Sequence, residues 1–330
     1  MSQSKRGLRL AAYLGGVLGS ALLIVLLIRS DSPAILDALR LGGWNLFWLV
    51  PYRALFFLLY AVGWYFLLLP YDSTRQAGLG YVFWVTNVRE AIDRLLPVAS
   101  VGGGIVGVRL LRLRGLPMAG VSATVVVEIL LTLVVVLLFG ALGLMLLFDI
   151  NATAQSLRNS LLTLLLGSLV PLGTALLLRY GSIFGRLERF IRPFVGDQAL
   201  SEGAAALDRE IRASLGRGGP LFLAGTLQFA AFISGAFEIW FALRLFGHPV
   251  GFSEALILES MTQSIRHLAF IIPAGIGVQE ASLVLFGHAL GISGELALAV
   301  SMSKRMREVL CGLPALISWQ WLEGRRLHVA

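Results

Sequence analysis

The chain has 330 residues, 57% of them hydrophobic and 14% charged, with a mean hydropathy of +0.82. A soluble domain is about 25% charged and has too little interior at this length to hide so much apolar surface, which excludes a soluble globular fold. The net charge of +8 is nearly all arginine, Lys5 and Lys304 being the two lysines. The arginines fall between apolar runs, which points to an anionic lipid surface rather than to nucleic acid. One cysteine, Cys311, excludes an intramolecular disulfide and a thiolate metal site.

In chain order, Lys5, Arg6 and Arg9 precede an apolar run, Leu10–Ile28. A signal peptide and an uncleaved first span both fit. The length of the run, with no small-x-small cleavage site directly after it, favours a span. Leu46–Leu69 is a second span. Leu79–Gly115 is apolar but interrupted at Pro97 and at Gly102-Gly103-Gly104. Proline and clustered glycine break helices, and each half is too short to cross, so this stretch reads as a re-entrant helical hairpin. Met118–Phe148 and Leu157–Arg179 are two more spans. Arg179, Arg186, Arg189, Arg192, Arg209, Arg212 and Arg217 then mark an interfacial or cytosolic connector. Phe222–Leu245 is a span, Phe252–Leu290 a second hairpin interrupted at Pro273, Gly275 and Gly277, and Gly294–Trp321 the last span. The basic residues at both ends, including Arg325 and Arg326, put both termini in the cytoplasm. The expected fold is an all-α polytopic membrane protein, one integral domain over residues 1–330, with about six full spans and two re-entrant hairpins.

The two hairpins carry an internal repeat. Pro97 follows Leu95-Leu96 and Pro273 follows Ile271-Ile272, an offset of 273 − 97 = 176. Gly115 and Gly291 lie at the same offset (291 − 115 = 176), as do Asn87 and Gln263 (263 − 87 = 176). Residues 46–148 form the first copy, 149–221 the connecting span and basic segment, and 222–324 the second copy. One odd span between the copies makes the second enter with opposite polarity. That is the inverted-topology plan of secondary transporters, in which paired Gly/Pro-interrupted segments mark a midplane site.

Charges inside apolar spans cost on the order of 3 kcal/mol each and face a bundle interior or a cavity. The costly residues are Arg53, Arg89, Glu90, Asp93, Arg94, Glu128, Glu238, Arg244, Glu259, Arg266, His267, Glu280, Lys304, Arg305, Arg307 and Glu308. Glu90 and Arg94 are i,i+4 partners. Glu128 and Lys304 are equivalent by the repeat (304 − 128 = 176), which would bring opposite charges to related places. These charges either accept a lipid head group or a proton, or pair with one another to hold the bundle. The glycine breaks have two readings as well: half-helix N-termini that present N–H groups to an anion, or close helix packing. Glu259, His267, Glu280 and His288 fit no zinc spacing, and no nucleotide or nucleophile-elbow fingerprint occurs.

The segments LLPVASVGGGIVGVRLLRLRGLP (95–117) and IIPAGIGVQEASLVLFGHALGIS (271–293) resemble the lysylphosphatidylglycerol synthase transmembrane, flippase-like family. The second is the more specific, through Pro273, Gly275, Gly277 and Glu280. Within the family the chain looks most similar to hopanoid-biosynthesis-associated membrane proteins, mainly through Pro97 to Arg109 and Asn87. The resemblance implies lipid translocation in a bacterial inner membrane. It carries over Asn87, Pro97, Arg109, Glu128, Pro273, Gly275, Gly277, Glu280 and Arg305 as family positions. The expected binding residues are Asn87, Arg109, Glu128, Gln263, Glu280, Lys304 and Arg305. The expected helix breaks are Pro97, Gly102, Gly103, Gly104, Pro273, Gly275 and Gly277. No catalytic residue, cofactor or metal is expected. One departure concerns the first break, where many members carry an acidic residue and this chain has Gly103-Gly104. No aminoacyl-transferase domain follows the last span, so synthesis of lysyl-phospholipid is not expected. The expected partners are membrane lipids and envelope-lipid biosynthesis enzymes, with no nucleic acid. Two other functions fit the same residues: a non-catalytic scaffold for those enzymes, and an intramembrane lipid-modifying enzyme using Glu259 or His267.

Overall fold

In the computed structural model of the chain, the described residues are 32–96, 102–151, 173–174, 176–177, 179–181, 198–269, 272 and 275–327. The run Leu10–Ile28, most of Leu157–Arg179, Pro97 and Pro273 lie outside them. Among the described residues every regular element is a helix. A short helix α1 (Ser32–Gly42) leads through a 3-10 turn (Gly43–Trp48) into α2 (Leu49–Leu68). Then come α3 (Leu79–Leu95), α4 (Gly102–Arg112), α5 (Met118–Asn151) and α6 (Gln198–Leu215). The second half holds α7 (Gly218–Leu245), α8 (Phe252–Leu268), α9 (Val278–Ala289) and α10 (Gly294–Leu327).

Among the described residues, three segments are long and apolar enough to cross a membrane: Pro33–Tyr71, Met118–Phe148 and Gly218–Leu245. The shortest has 28 residues. At about 1.5 Å per residue it exceeds the roughly 30 Å of hydrocarbon in a bilayer. Helix α10 is as long as α5, each having 34 residues. Its middle carries Lys304, Arg305, Arg307 and Glu308, so composition alone does not class the expected span Gly294–Trp321 as apolar. At both interrupted stretches two short helices stand where one crossing helix would need about 20 residues. Helices α3 and α4 have 17 and 11 residues, and α8 and α9 have 17 and 12. Each pair packs against itself.

The helix starts keep the offset read from the sequence. Helix α9 begins 278 − 102 = 176 residues after α4, and α10 begins 294 − 118 = 176 after α5. The turns that end α4 and α9 match as well. Gly115 (φ 84°) and Gly291 (φ 74°) are left-handed, where only glycine avoids a Cβ clash. The N–H of the residue after each glycine turns back in the same way: Leu116 N–H bonds Leu111 O, and Ile292 N–H bonds Gly287 O.

Helices α2 and α7 pack along each other at the centre. Helix α3 lies against α10, and α8 against α5. The interior is close-packed around buried Trp64 and Phe139, and Trp64 Nε1 donates to Thr124 Oγ1 at 3.1 Å. Two glycines permit the tightest approaches. A Cβ at Gly103 would strike the Arg89 carbonyl and the Asp93 carboxylate. A Cβ at Gly143 would overlap Ser260 Oγ across the α5–α8 contact. Overpacking of this kind costs about 1–3 kcal/mol. Gly143→Leu is therefore expected to lower the melting temperature of the detergent-purified protein well below wild type. The same substitution at Gly203, where a Cβ meets nothing, is expected to leave it nearly unchanged.

Candidate functional site: a buried ionic network at the hairpins

Helix α10 is the backbone of the site. Ser301, Lys304, Arg305 and Glu308 follow at i, i+3, i+4 and i+7, which puts them on one face. Glu308 is the hub. Its Oε1 accepts from Arg266 at 3.3 Å and stands 3.9 Å from Arg94, while its Oε2 accepts from Arg305 at 3.2 Å. These three guanidinia come from α8, α3 and α10 itself.

The network runs outward from there through buried and half-buried groups. Arg266 donates to Gln279 Oε1 at 2.7 Å, Gln279 to Ser301 Oγ at 2.8 Å, and Ser301 to Glu280 Oε1 at 2.9 Å. Arg305 donates to Glu280 at 3.1 Å and to the Gly275 carbonyl at 3.2 Å. On the α3 side, Arg94 donates to Glu90 at 2.8 Å, as the i,i+4 spacing implied. Two tighter pairs flank the hub. Arg307 donates to Glu238 of α7, and Lys304 to Glu259 of α8, both at 2.5 Å. Glu259 also accepts from Gln263 at 2.7 Å. Buried charges survive only when paired in this way, because removing an ion from water costs several kcal/mol.

Some groups stay unmatched. Thr262 Oγ1, Gln263 Oε1 and Arg53 Nε are buried without a hydrogen-bond partner. A cavity of about 10 Å³, room for about one water, lies among Phe57, Asn87, Glu90, Ala91, Arg94, Arg307, Glu308, Cys311 and Gly312. The interior is thus packed shut around its charges.

The expected binding residues divide. Glu280 and Arg305 meet directly, Gln263 and Lys304 share Glu259, and Asn87 lines the cavity beside Glu90 and Arg94. Arg109 stands apart: its side chain is 65% exposed and pairs with Glu323 at 2.9 Å. Its position at the end of α4 places it beside the end of α10 rather than at the network. Glu128 pairs with Arg89 at 2.8 Å, and Arg89 lies over the Trp64 ring. Glu128 and Lys304 therefore each have a partner of their own and do not face one another. Network residues outside the expected binding set include Glu90, Arg94, Glu259, Arg266, Glu308, Gln279 and Ser301, of which only Gln279 and Ser301 are not among the costly charges. Glu308 and Ser301 carried a usable signal, their helical spacing from Lys304 and Arg305.

The glycine breaks follow the close-packing reading at two points. Gly103 touches the Arg89 backbone, and a Cβ at Gly275 (φ 59°) would come within 2.9 Å of Arg266 Nε. Both half-helix N-termini already hold carboxylates of this chain. Gly103 N–H donates to Asp93 at 2.9 Å, and Gly277 N–H to Glu280 at 2.8 Å. Asp93 thus supplies an acidic group at the first break although Gly103-Gly104 does not. His267 bonds the Gln263 carbonyl through Nδ1 at 2.8 Å, and no hydrogen bond joins it to Glu259.

Apolar spans and paired short helices are the features of an all-α membrane protein. The chain belongs to the family described as the lysylphosphatidylglycerol synthase TM region, whose model matches residues 13–313. Comparison with curated proteins and with solved structures finds no match.

Proposed function

We propose that the protein carries a polar or anionic lipid between the leaflets of a bacterial inner membrane, a hopanoid-related lipid among the candidates. Two inverted repeats, residues 46–148 and 222–324, would move against each other around the network. Membership of the lysylphosphatidylglycerol synthase TM region family supports a lipid as the cargo. The observation that carries the transport mechanism is the packing pattern. Exchanging α2 with α7, α3 with α8, α4 with α9 and α5 with α10 turns each substantial contact among these helices into another that is present. The α3–α10 contact becomes α8–α5, α2–α5 becomes α7–α10, and α2–α7 maps onto itself. Such pseudo-symmetry gives two equivalent packings open to opposite sides, which alternating access requires. The network lies where repeat one (Glu90, Arg94) meets repeat two (Arg266, Glu280, Arg305, Glu308). A rocking motion must make and break those contacts. Asn87, Gln263, Glu280, Lys304 and Arg305 would then be head-group ligands, with Arg94 and Glu308 beside them.

The test is leaflet exchange in proteoliposomes that carry a tail-labelled fluorescent phosphatidylglycerol bleached from outside by dithionite. Wild-type protein is expected to raise the bleachable fraction above the outer-leaflet value at a rate that scales with protein per vesicle. Arg305→Gln is expected to slow it at least tenfold. Exchange no faster than in protein-free vesicles, across anionic, zwitterionic and hopanoid lipids, would refute the proposal.

A further inference from the structure

Glu259 of α8 is 1% exposed and is held from three helices. Its Oε2 accepts from Lys304 Nζ of α10, and its Oε1 accepts from Gln263 Nε2, one turn along α8. The carboxylate rests against the α7 backbone at Gly235, where a Cβ would come within 2.7 Å of Oε1. Beside it two oxygens go unused. Gln263 Oε1 and Thr262 Oγ1 are buried without a hydrogen-bond partner. They follow Glu259 at i+4 and i+3, on the same side of α8. A buried carbonyl oxygen with no donor is costly. An ionised carboxylate only accepts and cannot relieve it, whereas a protonated carboxyl carries an O–H that can.

The other ionisable groups around this carboxylate lie further off. Arg53 and Tyr52 come from α2, and Glu238 of α7 is held by Arg307. His267 lies two turns along α8, with Nδ1 on the Gln263 carbonyl. Helix α5 meets this part of α8 through Gly143, beside Ser260. Lys304 is the cation in direct contact with Glu259. An anionic head group that reaches Lys304 while Glu259 stays ionised would set two anions on one buried ammonium, at a high desolvation cost. One proton on Glu259 restores the balance, with the ammonium positive, the head group negative and the carboxyl neutral.

We propose that Glu259 is a proton-coupling site, taking up one proton each time Lys304 accepts an anionic lipid head group; this rests on the transport reading above and names the ion that drives it. The proton comes from water on the side to which the site is open and forms an O–H bond on the Glu259 carboxyl. No covalent bond of the lipid breaks. Lys304 keeps its three protons and shifts its hydrogen bond from Glu259 to a phosphate oxygen. Half a turn of the Gln263 amide then presents Oε1 to the new O–H and frees Nε2 for the head group. Release on the other side reverses each step, so lipid and proton cross together and no net charge moves.

The experiment is equilibrium binding of tail-labelled phosphatidylglycerol to the detergent-purified chain, followed by fluorescence anisotropy from pH 5 to pH 8, where the phosphodiester stays ionised. Uptake of one proton on binding predicts a wild-type Kd that falls as pH falls, by up to about tenfold per pH unit. Glu259→Gln keeps the shape of the protonated carboxyl without a titrating proton. Its Kd is expected to vary less than about twofold over the same range. Wild-type binding that is flat with pH, or absent at every pH, would overturn the proposal. A wild-type slope in folded Glu259→Gln would overturn it too, by placing the proton on another group such as His267. Should Glu259→Gln not fold, the double variant Lys304→Met, Glu259→Leu decides: its residual binding is expected to be weak and independent of pH, and a surviving slope overturns the proposal. The two proposals fail separately, since leaflet exchange with a flat binding profile refutes the coupling alone, and a sloping profile without exchange refutes transport alone.

Discussion

Glu308→Gln is expected to destabilise the protein by about 3–5 kcal/mol, the usual cost of removing one partner from a buried ionic cluster. Glu308 is 7% exposed and is shared by Arg94, Arg266 and Arg305. Glutamine keeps its shape and one acceptor oxygen but removes the charge. Three guanidinia from three helices would then converge on a neutral amide. Arg305 retains Glu280 and Arg266 retains Gln279, so the cluster should loosen rather than scatter. The loss should appear as a large fall in the midpoint of thermal unfolding in detergent. Glu323→Gln supplies the contrast, because its partner Arg109 is largely exposed and such pairs contribute about 0–1 kcal/mol. Equal effects from the two variants would mean that the Glu308 cluster is wet rather than sealed.

The second large effect separates stability from function. Lys304 and Glu259 are 2% and 1% exposed and meet at 2.5 Å. Lys304→Met strands the Glu259 carboxylate in the bundle with Gln263 as its remaining donor, and is expected to cost about 3–5 kcal/mol. The double variant Lys304→Met, Glu259→Leu removes both charges and their desolvation cost. It is expected to return to wild-type stability or exceed it. If the pair serves only to hold the bundle, the double variant also keeps full leaflet exchange. The proposed role of Lys304 as a head-group ligand requires exchange to fall at least tenfold in a protein that melts normally. Melting curves and exchange rates on the same three preparations, wild type and the two variants, read the two outcomes.

The framework of the fold was legible because it is written in local chemistry. Helix starts at Met118 and Gly294, and paired short helices on either side of each break, follow from Pro and Gly positions at a constant offset. The left-handed turns at Gly115 and Gly291 are two more expressions of that offset. Partner choice among the charges was not legible beyond one helix. Glu90 and Arg94 declare themselves by spacing, whereas the ligands of Glu308 come from α3, α8 and α10 and depend on how those helices meet. The placement of Arg109 was not legible for the same reason. Family resemblance pointed to it, but only the fold sets it at an exposed helix end, 214 residues in sequence from the Glu323 that pairs with it. The role of Gly103 also needed a neighbour's backbone, since its tightness comes from the Arg89 carbonyl and not from its own flanks.

Cys311, the chain's one cysteine, lines the small cavity with Asn87, Glu90, Arg94 and Glu308, and so reports on the charged network. The most direct measurement is its labelling by a membrane-impermeant methanethiosulfonate, applied separately to right-side-out and inside-out vesicles. Alternating access predicts slow modification of Cys311 from both faces, with each rate changed by added phosphatidylglycerol. Modification from one face alone, however long the exposure, would contradict a carrier whose centre opens to each leaflet in turn.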